Sequence, residues 1–465
     1  MNITVIKFGG TSMGSAEAIN QCARIIVDAQ KNERIIAVVS AMSGVTDILI
    51  ESVEQAVAGN QKCFLENKEK LRDRHLQTIE KLQLMESPAL VEAPILAMIE
   101  EFSTLCHAVH VLGEATSRVL DAVVSLGERM SHHLLAAAVR KLGISSLAVD
   151  AGDFLITDDH FQHANPDFKN TKKQAKEVLL PLIKKSIVPI VTGFCGRTKD
   201  GITTTLGRGG SDYSAAIIGK VIDAKKVIIW TDVTGVMSTD PRIDATARTI
   251  PLLAYSEVAE LAYFGAKVLH PKSIRPSVED GAELWVRNTF APEEKGTQIV
   301  LDSPQKAGAI RAVTSIPKLS LITIEGRGML GIPGVAARAF AATARSNTNI
   351  LMISQASSEQ SICFLIREHK VEKVIATLRE EFSEELASRE IDDITSLNHV
   401  VIITAVGAGM RYTPGVAGKI FSALGENKIN VIAIAQGSSE CSISFVIAME
   451  DEKNAVRCIH RLTEN

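Results

Sequence analysis

An internal repeat in the last third of the chain constrains the fold more than any other feature of the sequence. Between positions 326 and 364, many residues recur 81 positions later without a gap, from Gly326 and Gly407 to Phe364 and Phe445. Chance does not produce such a match, and each copy has the pattern strand, glycine turn, helix, strand, turn, strand. Two copies are too few for a solenoid. The repeat therefore predicts two small α/β modules related by pseudo-symmetry.

Short apolar runs separated by helical stretches recur along the first 300 residues. The runs lie at residues 3–8, 34–40, 145–150, 188–194, 226–232 and 284–288. This alternation predicts an α/β fold in which a mostly parallel sheet is covered by helices on both faces. Ligands of such sheets bind at the carboxyl ends of the strands, where the Gly9-Gly10 turn and Ser40 would converge.

Two segments depart from this alternation. Residues 60–140 form a charge-rich helical region, and because its heptads are not sustained we expect packed helices of the same domain, not a coiled coil. The tract from Pro292 to Pro317 is rich in Pro, Gly, Glu and Lys, and we expect the main domain boundary within it. We predict a first domain over residues 1–300, a second over 301–390 and a third over 391–465.

Composition excludes several classes of protein. A net charge of −4 over 465 residues argues against a dedicated nucleic-acid binder. The 7 cysteines are odd in number, scattered and without a CxxC pair, which favours a reducing compartment and no structural zinc. The N-terminus lacks the features of a signal peptide, and we find no apolar run long enough to span a bilayer. We therefore expect a cytoplasmic protein that binds neither nucleic acid nor membrane.

The stretch Thr203–Ala216, TTTLGRGGSDYSAA, reads as an anion site. Its glycines allow the backbone to approach a ligand closely, and the helix that follows begins with free N–H groups. Arg208 adds a forked cation that suits a carboxylate. Glycine-rich turns before helices are common, however, and many bind nothing.

Lys7 lies near the end of the first predicted strand and is followed by Phe8, Gly9 and Gly10. A lysine and a tight glycine turn at the carboxyl edge of a strand fit a phosphate cradle. The segment is not a Walker A loop, which requires GxxxxGK[ST]. Alone, it would read as an ordinary turn beside a surface lysine.

Six strings in order carry a family resemblance: KFGGTS, VVSAMSGVT, SLGERMS, TTLGRGGSDYSA, WTDVTGV…TDPR and AYFGAKVLHP. We interpret each as polar residues at the end of an element. Together they resemble the aspartate kinases of the amino-acid kinase family, and the duplicated tail resembles their paired ACT domains. The resemblance covers essentially the whole chain. It implies a three-layer αβα kinase fold followed by two ferredoxin-like ACT domains, with residues 309–317 giving a strand to the second.

The resemblance implies transfer of the γ-phosphoryl group of ATP to the side-chain carboxylate of L-aspartate, the first step toward lysine, threonine and methionine. The product is 4-phospho-L-aspartate. An aspartate carboxylate is ionised at neutral pH, so its attack needs positioning and charge neutralisation but no general base. Mg²⁺ would be held mostly by phosphate oxygens and water, without a dedicated protein metal site.

It also implies roles for individual residues. Lys7 and Lys267 would approach the phosphates, and Asp212 would orient these lysines or assist the metal. The substrate site would hold a carboxylate clamp, an ammonium acceptor and three hydroxyl groups, which are Arg208, Glu128, Ser40, Thr46 and Ser211 in that order. The nucleotide site would contain Lys7, Phe8, Gly9, Gly10, Thr231, Asp232, Met237, Arg242, Lys267 and Val268.

Structural interpretations compete with some of these roles. Glu128 and its neighbour Arg129 would equally suit a solvated helix surface. Asp240 and Arg242 would equally form a structural turn with a surface ion pair. Met237 stands where many relatives have an aromatic residue, so contact with adenine or ribose would be less directional. Three ring side chains are expected to be structural, namely His270, Tyr263 and Phe264.

ACT domains bind amino acids at domain interfaces, so the tail implies feedback by an end product. The effector residues implied are Met329, Gln355, Met410 and Gln436. The two glutamines resemble those of threonine-sensitive members, which favours threonine over lysine, although they would equally bridge strands across the repeat. Pairing of such modules between subunits predicts a homodimer or a dimer of dimers.

Two other functions fit parts of the pattern. One is a kinase for another small substrate such as glutamate, acetylglutamate, carbamate or a nucleoside monophosphate. The other is a catalytically silent amino-acid sensor, which retention of Lys7, Arg208, Asp212 and Lys267 disfavours. Bifunctional members of the family continue into a homoserine dehydrogenase, whereas this sequence ends at Asn465.

Overall fold

The computed structural model describes residues 2–85, 87–265, 269, 271–279, 281–302, 308–329, 334–355, 360–436 and 441–463. The chain divides into two compact units. The N-terminal unit consists of Met1–Val236, Thr249–Tyr255 and Leu269–Asp302. The C-terminal unit consists of Met237–Arg248, Ser256–Val268 and Ser303–Asn465.

A sheet of eight strands, counted over the described residues, forms the centre of the N-terminal unit. Its strands are β1 (Ile3–Phe8), β2 (Arg34–Val39), β3 (Ser146–Val149), β5 (Val188–Thr192), β8 (Lys226–Thr231), β9 (Leu252–Ala254), β10 (Glu283–Asn288) and β11 (Thr297–Val300). Their order is β3-β5-β2-β1-β8-β10-β11-β9. All neighbours are parallel except the antiparallel pair β10 and β11. All six residues of β1 are buried because helices cover both faces.

The helices of this unit form two layers. The bounds are α1 (Ala16–Gln30), α2 (Val45–Val57), α3 (Gln61–Leu82), α4 (Ala89–Leu112), α5 (Ser117–Lys141), α6 (Phe168–Lys184), α7 (Gly210–Val221) and α9 (Pro271–Glu279). Helices α1 to α5 share one hydrophobic core with one face of the sheet. Helices α6, α7 and α9 pack on the other face. The predicted three-layer α/β architecture is confirmed.

The charge-rich region is a set of packed helices, as predicted. Helix α4 contributes Val91, Ile95, Ile99, Phe102 and Cys106 to the same core as α3 and α5. By length and composition alone this helix could cross a membrane, so the prediction that no such segment exists is wrong. Its core-facing side chains pack against neighbouring helices, as in the core helix of a globular domain.

A small second sheet supports the glycine-rich turn. It consists of β4 (Ile156–Thr157), β6 (Cys195–Thr198) and β7 (Thr203–Thr205) in the order β4-β6-β7. Strand β7 ends at Thr205, and α7 begins at Gly210. The intervening turn is therefore held by a strand at one end and by a helix at the other.

The C-terminal unit contains the repeat. Its strands are β12 (Ala312–Glu325), β13 (Met352–Gln355), β14 (Ser361–Arg367), β15 (Asp393–Val406), β16 (Ala433–Ala435) and β17 (Ser442–Ala448). Its helices are α10 (Val335–Arg345), α11 (Val371–Glu381), α12 (Ser383–Ser388), α13 (Val416–Glu426) and α14 (Glu452–His460). Helix α8 (Tyr255–Tyr263) begins at the last residue of the N-terminal unit and continues into this one. Sequence analysis missed α11 and α14, which follow the last strand of each copy.

Both copies of the repeat share one antiparallel sheet with the order β13-β14-β12-β15-β17-β16. The long strands β12 and β15 pair from Ala312 with Val406 to Glu325 with Asp393. The first half of β12 therefore lies beside the second copy, and its second half pairs with β14 of the first. Each copy keeps its own core, built around edge-to-face aromatic pairs whose centroids are 6.0 Å apart, Phe340 with Phe364 and Phe421 with Phe445.

Candidate active site

A cleft of about 670 Å³ opens at the carboxyl ends of β1 and β2. Six of the residues predicted to bind substrate or phosphate line it, which are Lys7, Ser40, Thr46, Arg208, Ser211 and Asp212. They come from β1, from the segment between β2 and α2, and from the turn before α7. The parallel sheet brings them together because its strand ends meet at one edge.

Lys7 and Asp212 form an ion pair inside the cleft. The distance from Nζ of Lys7 to Oδ1 of Asp212 is 2.6 Å, and the two side chains are only 10% and 16% exposed. A lysine with this little access to water requires an opposite charge or a ligand. Asp212 supplies it from the first turn of α7, where a carboxylate is also favoured by the helix dipole.

The glycine turn after β1 is fixed by backbone hydrogen bonds. The N–H of Gly9 donates to the carbonyl of Trp230 at 3.1 Å, and the N–H of Ser43 donates to the carbonyl of Gly10 at 3.1 Å. Phe8 is fully buried and stacks on Trp230 at 6.5 Å, so its side chain belongs to the core. Only the backbone of Phe8 remains available to a nucleotide.

Glu128 is buried in the middle of α5, so the interpretations of a helix end and of a solvated surface are both wrong. A side chain at the preceding residue, Gly127, would place its Cβ 2.8 Å from the Cβ of Ala41. Glycine therefore lets α5 approach the segment after β2, and Glu128 accepts a hydrogen bond from the N–H of Ala41. Arg129 points elsewhere, toward Glu101 at 3.5 Å and Asp150 at 3.4 Å.

The environment of Glu128 favours a cationic ligand. The residue is 4% exposed, and among the described residues its Oε2 has no hydrogen-bond partner. Burial raises the pKa of Glu128 to about 8, while the N–H of Ala41 and the positive charge of Lys7 partly offset that effect. An ammonium group placed beside Oε2 would supply both the missing donor and the missing charge.

The glycine-rich turn adopts the conformation that its sequence predicts. Gly207 and Gly209 have φ values of 77° and 69°, a region that favours glycine. Another glycine allows Ser211 to pack closely, because a Cβ at Gly193 would lie 2.7 Å from the Cβ of Ser211. Arg208 is exposed at the rim of the cleft, where it can meet a carboxylate from solvent.

Sequence analysis missed several residues of the cleft, including Asp47, Asp121, Gln162, His163 and Phe194. Asp121 lies seven residues before Glu128, which is two helical turns and therefore the same face of α5. This spacing in the sequence could have identified Asp121 as lying on the same helix face as Glu128. Gln162 and His163 lie in a loop between β4 and α6 that no motif marks.

The predicted nucleotide residues are distributed over different parts of the chain. Thr231 ends β8, and its hydroxyl donates to Oδ1 of Asp232 at 3.1 Å. Met237 and Arg242 belong to the C-terminal unit, where the Nη2 of Arg242 lies 2.5 Å from Oδ2 of Asp240. The ion pair expected as the alternative role of Arg242 is thus present. Lys267 and Val268 lie outside the described residues, as does His270.

The predicted effector residues fall into two groups. Met329 and Met410 are buried in the two cores of the repeat, so only their backbone groups face outward. Gln355, at the end of β13, and Gln436, just after β16, are exposed. Tyr263 is 57% exposed, so the prediction that it belongs to the core is wrong, whereas Phe264 is half-buried against the back of the shared sheet.

Comparison with known proteins assigns the two parts of the chain to protein families. A model of the amino acid kinase family matches residues 2–288, and a model of the ACT domain matches residues 322–382 and 403–462. The N-terminal unit is therefore an amino acid kinase domain, and the repeat consists of ACT domains.

Individual relatives are more specific. Bifunctional aspartokinase/homoserine dehydrogenase 1 of Zea mays is 37% identical over 462 residues, which cover 98% of this chain and 50% of the relative. Aspartokinase 3 of Arabidopsis thaliana is 33% identical over 98% of this chain and 80% of its own. The chain spans about half the length of the bifunctional plant relatives it matches.

Solved structures agree with these relatives. Aspartokinase III of E. coli in complex with aspartate and ADP, an R-state, is 29% identical with a TM-score of 0.80, covering 99% of both chains. The same enzyme in complex with lysine and aspartate, a T-state, is 28% identical with a TM-score of 0.82, covering 99% of this chain and 100% of the other. The chain belongs to the amino acid kinase family, and within it to the aspartokinases.

The close contact at Gly127 can be tested by substitution. Gly127→Ala should destabilise the protein by about 1–3 kcal/mol, because the added methyl group overpacks α5 against Ala41. Gly418→Ala is the matched control, since nothing lies within 4 Å of a Cβ at that helical glycine. It should stabilise by about 0.5–1 kcal/mol. Denaturant unfolding measures both, and equal effects would contradict the packing role.

Proposed function

We propose that this protein transfers the γ-phosphoryl group of ATP to the side-chain carboxylate of L-aspartate. The observation that carries the proposal is the convergence of the Lys7–Asp212 pair and Arg208 on one cleft in a chain of the aspartokinase family. The product is 4-phospho-L-aspartate, a precursor of lysine, threonine and methionine. The reaction serves amino-acid biosynthesis, and the proposed compartment is the cytoplasm.

L-Aspartate carries two carboxylates and one ammonium group, and the site offers a partner to each. Arg208 clamps a carboxylate, and Glu128 receives the ammonium group at its unpaired oxygen. Hydroxyl groups of Ser40, Thr46 and Ser211 complete the substrate site. The attacking carboxylate is already ionised, so positioning and neutralisation of charge account for catalysis.

At the phosphates, Lys7 neutralises charge on the transferring group, with Asp212 holding its ammonium in place. Lys267 and Val268, with Thr231, Asp232, Met237 and Arg242, are proposed for the nucleotide. Among the described residues there is no group of three or more His, Cys, Asp or Glu arranged to hold a metal. Mg²⁺ fits this donor set as an ion held mainly by phosphate oxygens and water, with Asp212 as a nearby carboxylate. When bound, it would add positive charge at the phosphates.

We propose that the ACT domains make the enzyme sensitive to an end product. E. coli aspartokinase III has been solved with lysine in a T-state, which supports an amino acid as the effector. Exposure of Gln355 and Gln436 at equivalent positions of the repeat supports side-chain amides as effector ligands, and threonine is favoured over lysine. A homodimer or a dimer of dimers would bring ACT domains of different subunits together.

The first experiment measures phosphorylation of L-aspartate by ATP and Mg²⁺, trapping the acyl phosphate as its hydroxamate, with and without threonine or lysine. Turnover that threonine suppresses supports both the kinase and the effector. Suppression by lysine alone would support the kinase activity but contradict threonine as the effector. A folded protein without turnover would be examined with glutamate, acetylglutamate and nucleoside monophosphates, and inactivity with all of them would favour a silent sensor.

Lys7→Ala should lower kcat by about 10²- to 10³-fold and leave KM for aspartate within a few-fold, because its charge acts on the transferring phosphoryl group. Lys31→Ala is the control, since that exposed lysine forms a surface ion pair with Asp28 at 2.7 Å. Steady-state kinetics on folded variants measures both effects. An unchanged kcat in Lys7→Ala would refute the role.

Aspartate binding should depend on the ionisation of Glu128. Below its raised pKa of about 8 the carboxyl group is protonated in the free enzyme, so it lacks the charge that attracts ammonium. KM for aspartate should therefore fall as pH rises from 6 to 8, by up to about tenfold per unit. Glu128→Gln should remove this slope, whereas Glu101→Gln, on the exposed face of α4, should keep it. If the pH dependence of KM persists in Glu128→Gln, a group other than Glu128 is responsible for it.

Gln436→Ala should raise the effector concentration for half-inhibition about tenfold, the loss expected for one to two hydrogen bonds. The uninhibited rate should stay near that of the wild type, because the residue lies in the ACT region. Gln355→Ala, the equivalent change in the first copy, identifies which copy holds the ligand. Unchanged inhibition in both variants would exclude the glutamines as effector ligands.

A further inference from the structure

Asp121 is a buried carboxylate in the first turns of α5 whose oxygens are fully occupied. Its side chain is inaccessible to solvent. Oδ1 accepts hydrogen bonds from the hydroxyl of Thr205 at 2.7 Å and from the N–H of Gln162 at 3.1 Å. Oδ2 accepts from the N–H groups of Thr205 and Gln162, both at 2.9 Å. A carboxylate has about four acceptor positions, so this one retains little capacity for a ligand.

These donors lie in two segments, β7 and the loop before α6. In the part of the chain that the structure describes, no regular secondary-structure hydrogen bonding joins either segment to α5. Thr205 is the last residue of β7, three positions before Arg208. Gln162 lies in the loop before α6 and has a φ of 68°, a conformation that costs energy for a residue with a side chain. Asp121 thus holds the end of a strand and a strained loop residue against the same helix.

The loop in turn supports the glycine-rich turn. A Cβ at Gly207 would lie 2.5 Å from Nδ1 of His163 and 2.7 Å from the carbonyl oxygen of Gln162. The N–H of Ala164 also donates to the carbonyl of Thr205 at 2.9 Å. Residues 162–164 therefore form the wall against which Gly207 packs, and Gly207 immediately precedes Arg208.

Asp121 and Glu128 are seven residues apart, so both project from one face of α5, about 10 Å apart along the helix. One rigid helix thereby carries the proposed ammonium acceptor and the anchor of the turn that presents Arg208. Asp121 also lines the cleft. A free negative charge there would repel an anionic substrate, and three donors, which together make four hydrogen bonds to the carboxylate, counter that charge.

We propose that Asp121 is a positioning residue that sets the distance between Arg208 and Glu128, and so determines affinity for the amino-acid substrate. The inference rests on the proposed function, since it assigns these two residues to the substrate. Asp121 makes no contact with the reacting atoms. Its contribution passes through Thr205, the loop at Gln162 and Gly207.

Asp121→Ala should raise KM for aspartate about 10- to 100-fold, the cost of misplacing a substrate clamp, with kcat and KM for ATP within about threefold. Asp121→Asn should restore most of the affinity. Its amide oxygen can accept both N–H groups while its NH₂ donates to the hydroxyl of Thr205. Asp167→Ala is the control, because that carboxylate accepts two hydrogen bonds from Asn170 outside the cleft. It should leave KM unchanged.

Two further measurements separate positioning from a general loss of structure. In the double variant Asp121→Ala/Arg208→Ala, KM should not exceed that of Arg208→Ala alone, since both act through the same contact. If the double variant instead raises KM by the product of the two single effects, the proposal is overturned. Amide hydrogen exchange of the unliganded protein should increase at residues 160–164 and 205–209 in Asp121→Ala, and unchanged protection there would also overturn it. This readout needs no turnover, so it remains decisive if the wild type proves inactive with aspartate.

Discussion

The ion pair between Lys7 and Asp212 is the interaction on which the arrangement of the N-terminal unit depends. Lys7 lies in β1, which has parallel neighbours on both sides and helices on both faces. Its ammonium group therefore has little access to water. Removal of either partner would leave an unpaired buried charge, which is strongly destabilising. The pair joins the first strand to the first turn of α7. The two glycine turns beside it leave the ammonium group accessible to a ligand.

Helix α5 is the second fixed element. Gly127 brings it against Ala41, Glu128 accepts a hydrogen bond from the N–H of Ala41, and Asp121 ties the helix to β7 and to the loop at Gln162. A helix that is held at three points can keep an acceptor and a clamp at a constant distance. Under the proposed function, substrate affinity and phosphoryl transfer depend on different parts of the unit, α5 for the first and the Lys7–Asp212 pair for the second.

The sequence predicted the sheet, its helical layers and the repeat, because apolar periodicity and identical spacing are local signals. It also predicted the cleft residues that lie at strand ends or in glycine turns, such as Lys7 and Arg208. It misjudged Glu128 as lying at the end of an element, since the burial of a charged residue depends on contacts with distant segments. Asp121 was missed for a related reason. Its partners at Gln162 and Thr205 are 41 and 84 residues away along the chain.

The two long strands of the C-terminal unit also govern the order in which it can form. Ile316 pairs with Ile402, so its partner is synthesised 86 residues later, after the whole first ACT copy. Chains emerge from the ribosome at about 5–20 residues per second. The beginning of β12 is therefore synthesised several seconds before the part of β15 that pairs with it. Its apolar residues are uncovered during this interval. The first half of β12 can therefore pair only after β15 has been synthesised, so the shared sheet cannot close while only the first copy has been made.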